Sequence, residues 1–200
     1  MPDPNPDKSD ISNYLENSDI IDFDHPLVSQ TAEQLTYGLK DNLSKAREIY
    51  KFTRDHIFNS FEINATSVTR TASEVLDKGH GICFAKSHLL AALMRASDIP
   101  AGFCYQILYD EDFERLIVHG FNGVFIEELD KWFRIDTCLH VDVNDWEFDP
   151  FKDSATKTIR EEIGEYDDFT IYHVPNKKIL KILTAADTLE ELIHLIPSEI

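Results

Sequence analysis

The stretch Lys78-Gly79-His80-Gly81-Ile82-Cys83-Phe84-Ala85-Lys86-Ser87-His88-Leu89-Leu90-Ala91-Ala92-Leu93-Met94-Arg95-Ala96-Ser97-Asp98-Ile99-Pro100 decides the fold. Leu89, Leu90, Leu93, Met94 and Ala96 recur at the three-to-four spacing of a buried helix, predicted over residues 83–97 and ended by Asp98 and Pro100. Lys78-Gly79-His80-Gly81 breaks the preceding pattern, so a turn leads into this helix and Cys83 falls at its start. A thiol there meets unpaired backbone N–H groups and the positive end of the helix dipole, which favour a nucleophilic thiolate. The two glycines let the chain turn sharply and leave the backbone open, so that a substrate carbonyl can approach the Cys83 N–H as an oxyanion donor. Cys104 and Cys138 have no such setting.

Upstream, Thr71 or Ser73 can cap a short helical turn through Ala72, Val75 and Leu76, after a polar link over residues 59–70. Leu35, Leu39, Leu43, Ala46, Ile49, Tyr50 and Phe52 predict two helices with a break near Gly38, the second over residues 43–58 and capped by Asp41 or Asn42. Residues 1–10, with three prolines and three aspartates, read as a flexible arm, and residues 11–200 as a single domain.

Downstream the period changes to two. Phe103, Tyr105 and Ile107 alternate with Gly102, Cys104 and Gln106, and residues 109–112 make a polar turn. Residues 116–126 and 132–137 read as the next two strands, joined around residues 127–131; the competing hairpin signal at Asn122-Gly123 leaves shorter strands. Residues 142–168 are acidic and carry no clear period, residues 169–174 suggest a further strand, and residues 185–196 a terminal amphipathic helix. Helices followed by an antiparallel sheet predict an α+β fold with the helices on one sheet face.

A thiol nucleophile needs a base within hydrogen-bond reach, and the base needs a third group to hold its ring. If the hairpin is centred near Glu127-Glu128, His119 and Asp136 fall opposite one another on adjacent strands. Taken singly, a helix-start cysteine, a strand histidine and a strand-end aspartate are ordinary packing and turn residues. Their order and flanks carry the reading.

Those flanks resemble the bacterial transglutaminase-like superfamily. The run from Ala72 through Cys83 to Ala101 is similar to that family's nucleophile segment. His119-Gly-Phe-Asn, followed by Lys131-Trp-Phe-Arg-Ile-Asp136-Thr, resembles its later pair of motifs. The likeness covers roughly residues 45–137. It implies a papain-like α+β core with Cys83 as nucleophile, His119 as general base and acid, and Asp136 as the orienting group. The implied chemistry is acyl transfer from an amide, through a thioester, to water or an amine, with no metal or organic cofactor. Two positions depart from the pattern: Phe121 stands where many relatives carry tryptophan, and Gly123 near where several carry alanine or glutamate. For the second oxyanion donor, His56, Asn59 and Asn64 lie in the right region.

With 19 Lys plus Arg against 37 Asp plus Glu, the formal net charge is -18, which repels phosphate backbones and anionic headgroups. Nucleic acid and membrane are therefore not expected partners; a peptide, protein or small amide is the expected substrate. The opening residues lack the charge and apolar run of a secretory signal, so a cytoplasmic protein is predicted. Three widely spaced cysteines match neither a disulfide framework nor a zinc site. His80 and His88 flank Cys83 without a zinc spacing, and His140 reads as a surface or satisfied histidine. The rival reading is a binding or scaffolding module that keeps this fold without catalysis, and the reactivity of Cys83 separates the two.

Overall fold

A computed structural model describes residues 3–111, 113–138, 149–151 and 156–200. Its elements in order are β1 (Asn5–Pro6), α1 (Pro26–Thr36), α2 (Asn42–His56), β2 (Phe58–Asn59), α3 (Ala72–Lys78), β3 (His80–Gly81), α4 (Cys83–Ala96), β4 (Ala101–Asp110), β5 (Arg115–Ile126), β6 (Lys131–Ile135), β7 (Tyr166–Tyr172), α5 (Lys177–Ala185) and α6 (Leu189–Leu195). The sequence-predicted helix after Gly38 is α2, and Asp41 caps it by accepting from the Ser44 N–H. Thr71 and Glu74 close a capping box on α3.

The main sheet runs β1-β7-β4-β5-β6. Its middle is antiparallel, as expected, and its edge strand β1 pairs parallel with β7 through Asn5↔Thr170 and Pro6↔Ile171. The stretch read as a flexible arm therefore supplies a sheet edge. Asp7 extends the tie, accepting from the Tyr14 hydroxyl at 2.8 Å and from the His173 backbone N–H at 3.0 Å.

Helix α4 is buried from Phe84 to Arg95, between the sheet on one side and α1, α2 and α3 on the other. An all-round buried helix needs close neighbours, and Gly120 of β5 supplies one. A methyl group there would sit 2.6 Å from Phe84 Cδ1, so glycine lets the helix settle on the strand. Phe103, Tyr105, Val118, Val124 and Ile135 complete this side of the core.

The opposite sheet face is not bare. Tyr14, Cys104, Phe121 and Ile171 form a second, smaller cluster with Trp132 against it, Tyr14 coming from a 3₁₀ turn over Ile11–Leu15. The expectation of helices on one face holds for the long helices, and the N-terminal segment covers the other.

The C-terminal region departs further from the sequence reading. The helix expected over residues 185–196 is α6, shorter at Leu189–Leu195, and α5, which the sequence reading did not place, precedes it. Asn176 caps α5, which buries Ile179 and Leu183 at an i, i+4 spacing, while Ala186 turns extended and Thr188 caps α6. His140 and much of the unassigned acidic run lie outside the described residues.

Candidate active site

The turn before α4 is built by Gly79, which caps α3 in the left-handed conformation at φ 69°, a region open to glycine at little cost. Gly81 does not share that role. It lies in β3, paired with β2 through Asn59↔Gly81, and this small parallel ladder fixes the chain two residues ahead of Cys83. Helix α4 then starts at Cys83 with Ile82 as its N-cap, and no side chain caps it among the described residues. The first backbone N–H groups of α4 are thus left for another acceptor beside the half-buried Cys83 thiol.

His119 lies in β5 and Asp136 one residue past β6. The observed register, Asn122↔Ile135 to Ile126↔Lys131, turns about one residue later than the sequence reading placed it. His119 and Asp136 are therefore diagonal rather than directly opposite. The change is an even one in pairing, so both side chains still share a face, and the diagonal spans the reach of a ring and a carboxylate. His119 Nε2 meets Asp136 Oδ2 at 2.8 Å, both side chains being buried. Asp136 Oδ1 accepts from the Cys138 N–H at 2.7 Å.

This pair decides the charge of the site. Burial alone lowers the His119 imidazole, but the Asp136 carboxylate and its hydrogen bond, with a smaller contribution from the Cys83 side chain, push it up to about 10. Burial raises the Asp136 carboxyl, and the His119 charge and hydrogen bond bring it below its ordinary value. With Nε2 held by Asp136, Nδ1 is the ring nitrogen left for Cys83. Cys104 is buried, and Cys83 and Cys138 are partly exposed. Burial pushes the Cys104 thiol up to about 12 and the Cys138 thiol well above its usual value. Neither is a ready thiolate at neutral pH.

A second layer supports His119. Its ring lies nearly parallel to that of Phe121, the residue that departs from the resemblance, with centroids 6.1 Å apart. Arg134 stacks between Phe121 and Phe169 and pairs with Asp167. Gln106 stands across the β4–β5 ladder from His119 and donates Nε2 to Asp167 and to the Lys157 carbonyl. Beside it opens a groove of about 600 Å³ lined by Lys157, Ile159, Tyr166, Asp167 and Phe169 among others.

Of the three residues read as candidate oxyanion donors, Asn59 is the one paired beside the chain leading into Cys83, through Asn59↔Gly81. His56 is exposed and stacks on Phe52, and Asn64 occupies an exposed turn at φ 50°. The flanking histidines have other partners: His80 Nδ1 meets Ser60 Oγ at 2.9 Å, and His88 Nδ1 donates to the Arg70 carbonyl at 2.7 Å. Sequence reasoning missed two groups, Lys86 and Tyr50. A lysine inside an otherwise apolar helical run was the available signal for the first.

Residues 29–137 match the family model of the transglutaminase-like superfamily, and the chain belongs to that superfamily. Among solved structures it is similar to a candidate cysteine protease from Cytophaga hutchinsonii, with a TM-score of 0.55 and 20% identity over 68% of this chain and 45% of that one. A looser likeness is to a candidate protease from Parabacteroides distasonis, TM-score 0.42, 14% identical over 62% of this chain and 24% of that one. Another is to a protein named as a TGase, TM-score 0.40, 17% identical over 78% of this chain and 38% of that one. The chain spans less than half the length of these proteins. No curated protein matches it. No helix among the described residues is long and apolar enough to cross a membrane.

Proposed function

We propose that this chain is a cysteine-dependent enzyme that cleaves or transfers an acyl group from an amide through a thioester on Cys83. The observation that carries this reading is the buried 2.8 Å bond between His119 Nε2 and Asp136 Oδ2, which fixes the ring with Nδ1 free beside a cysteine at an uncapped helix start. In the proposed cycle His119, an imidazolium at neutral pH, already holds the Cys83 proton, and the Cys83 thiolate attacks the amide carbon. The carbonyl oxygen takes negative charge at the α4 N-terminus, where the Cys83 N–H and the Asn59 amide are the donors. The C–N bond then breaks, and the leaving amine takes the proton from His119. Water, or a second amine, gives a proton to His119 as it attacks the thioester, the C–S bond breaks, and Cys83 returns as a thiolate beside the imidazolium. Asp136 stays ionised throughout and holds the imidazolium.

Membership of the superfamily and the fold likeness to a protein named as a cysteine protease support this reading. A peptide, protein or small amide is the proposed substrate, with the groove beside Lys157 as the place for the chain next to the reacting carbonyl. The net charge of -18 fits a substrate that is neither nucleic acid nor an anionic lipid surface.

The test needs no knowledge of the natural substrate. On addition of p-nitrophenyl acetate, an activated acyl donor, mass spectrometry is expected to find an acetyl group on Cys83 that water removes and hydroxylamine removes faster. Acetylation absent from Cys83, or equal on Cys83, Cys104 and Cys138, would support the binding-module reading instead.

A further inference from the structure

Lys86 is an unusual tenant of α4. It lies one turn after Cys83, on the same helical face, yet only 3% of it reaches solvent. Burying an ammonium costs several kcal/mol unless its hydrogen bonds are replaced, and a carboxylate is the usual partner. Among the described residues no carboxylate pairs with it. Instead Nζ donates to two backbone carbonyls that the chain brings from opposite sides, Ile57 at 2.7 Å and Thr137 at 3.2 Å. Ile57 is the residue at which α2 gives way to β2, and Thr137 follows Asp136 directly.

The place of Thr137 gives these bonds their consequence. Strand β6 ends at Ile135, so Asp136 is held in no ladder. Its backbone is fixed by the Tyr50 hydroxyl, which donates to the Asp136 carbonyl at 3.2 Å, and by Lys86 on the next carbonyl. One tether comes from α2 and the other from α4, the helix that carries Cys83. Without the ammonium, the peptide after Asp136 is free to move away from α4, and the carboxylate moves with it.

We propose that Lys86 is a positioning residue of the thiol site: by pinning the Thr137 carbonyl to α4 and to the Ile57 corner, it sets where Asp136 stands and thereby how firmly His119 is held. The inference rests on the triad reading above, because only there does the place of Asp136 matter to chemistry. The charged and titratable groups that face Lys86 and Asp136 at this corner are Cys83 from α4, Tyr50 from α2, His119 from β5, Asp136 and Cys138 beyond β6, and Lys157 beside Gln106.

The test follows the titration of His119 by NMR in the full chain with labelled histidine, comparing wild type with Lys86→Met, which keeps the length of the stem and removes the donors. A positioning role predicts that His119 titrates at least about one pH unit lower in the variant, because a displaced Asp136 no longer holds the proton on the ring. A cation acting only through its field predicts the opposite, since loss of a positive charge raises the imidazole. A purely structural contact lowers the melting temperature and leaves the titration in place. Either of the last two results overturns the proposal. Lys86→Gln, which keeps a donor but lacks the reach to both carbonyls, is expected to move His119 the same way by less, and it serves where Lys86→Met does not fold. Acylation by p-nitrophenyl acetate reads the triad separately: an unmoved His119 with Cys83 still acylated sinks the Lys86 role alone, and an inert wild-type Cys83 sinks the catalytic reading.

Discussion

The two ends of α4 carry the same kind of group to different ends. At the C-terminal end the buried Arg95 donates to the carbonyls of Glu16, Ala101 and His173 at 2.6 to 3.0 Å, gathering the N-terminal segment, the start of β4 and the end of β7 around one guanidinium. Burial lowers it to about 10, still a cation at neutral pH. At the N-terminal end Lys86 also binds only carbonyls, but those lie beside a thiol, an imidazole and a carboxylate. A buried cation on carbonyls stabilises wherever it is placed; what it serves depends on what its carbonyls belong to.

That contrast is sharp enough to break. Substitutions of the thiol, imidazole and carboxylate at the N-terminal end should change chemistry and spare stability, and those at the C-terminal end should do the converse. Cys83→Ala is expected to abolish turnover of p-nitrophenyl acetate while shifting unfolding in urea by less than about 1 kcal/mol. Asp136→Asn, which leaves the ring place but sets the wrong tautomer, should lower that turnover roughly a thousandfold. Arg95→Met should cost about 4 kcal/mol in denaturant unfolding, since several buried carbonyls lose a charged donor, and leave the reactivity of Cys83 in the folded fraction unchanged. Loss of reactivity in Arg95→Met would erase the division between the ends.

The smallest effect is one of pH, and it sets two buried histidines against each other. His88, in the middle of α4, is lowered by burial from 6.5 to about 4, despite its bond to the Arg70 carbonyl. Its folded pKa lies below its unfolded one, so its contribution is whole above pH 6.5 and is lost as pH falls through about 4, to the extent of about 3 kcal/mol. His119 runs the other way: raised to about 10, its contribution is whole below pH 6.5 and is lost as pH rises through 10. Urea titrations at pH 4, 6 and 8 should show the acid loss, and His88→Gln should blunt it without touching the alkaline one.

The legible parts of the chain were those whose signal is local or periodic. The run from Leu89 to Ala96 announced α4, Gly79 the turn before it, and the alternation around Phe103 and Tyr105 the strand β4. The superfamily followed from flanking motifs in the right order. Pairing is not local, and the diagonal placement of His119 against Asp136 depended on a three-residue 3₁₀ turn, Glu127–Leu129, that sequence alone did not size. The same holds for β1, two residues long and drawn into the sheet by Asp7 bonds to Ile171 and His173, far along the chain. Lys86 and Tyr50 were hidden for a related reason, since their partners are backbone carbonyls, which no residue pattern records.

The measurement that tests the central claim most directly is the rate of iodoacetamide alkylation at pH 7 at each cysteine, read by mass spectrometry in the wild type and in His119→Ala. The account predicts that Cys83 reacts well ahead of Cys104 and Cys138 and that most of this lead disappears without His119. A Cys83 that reacts no faster than Cys104 and Cys138, or that keeps its full lead in the variant, would contradict it.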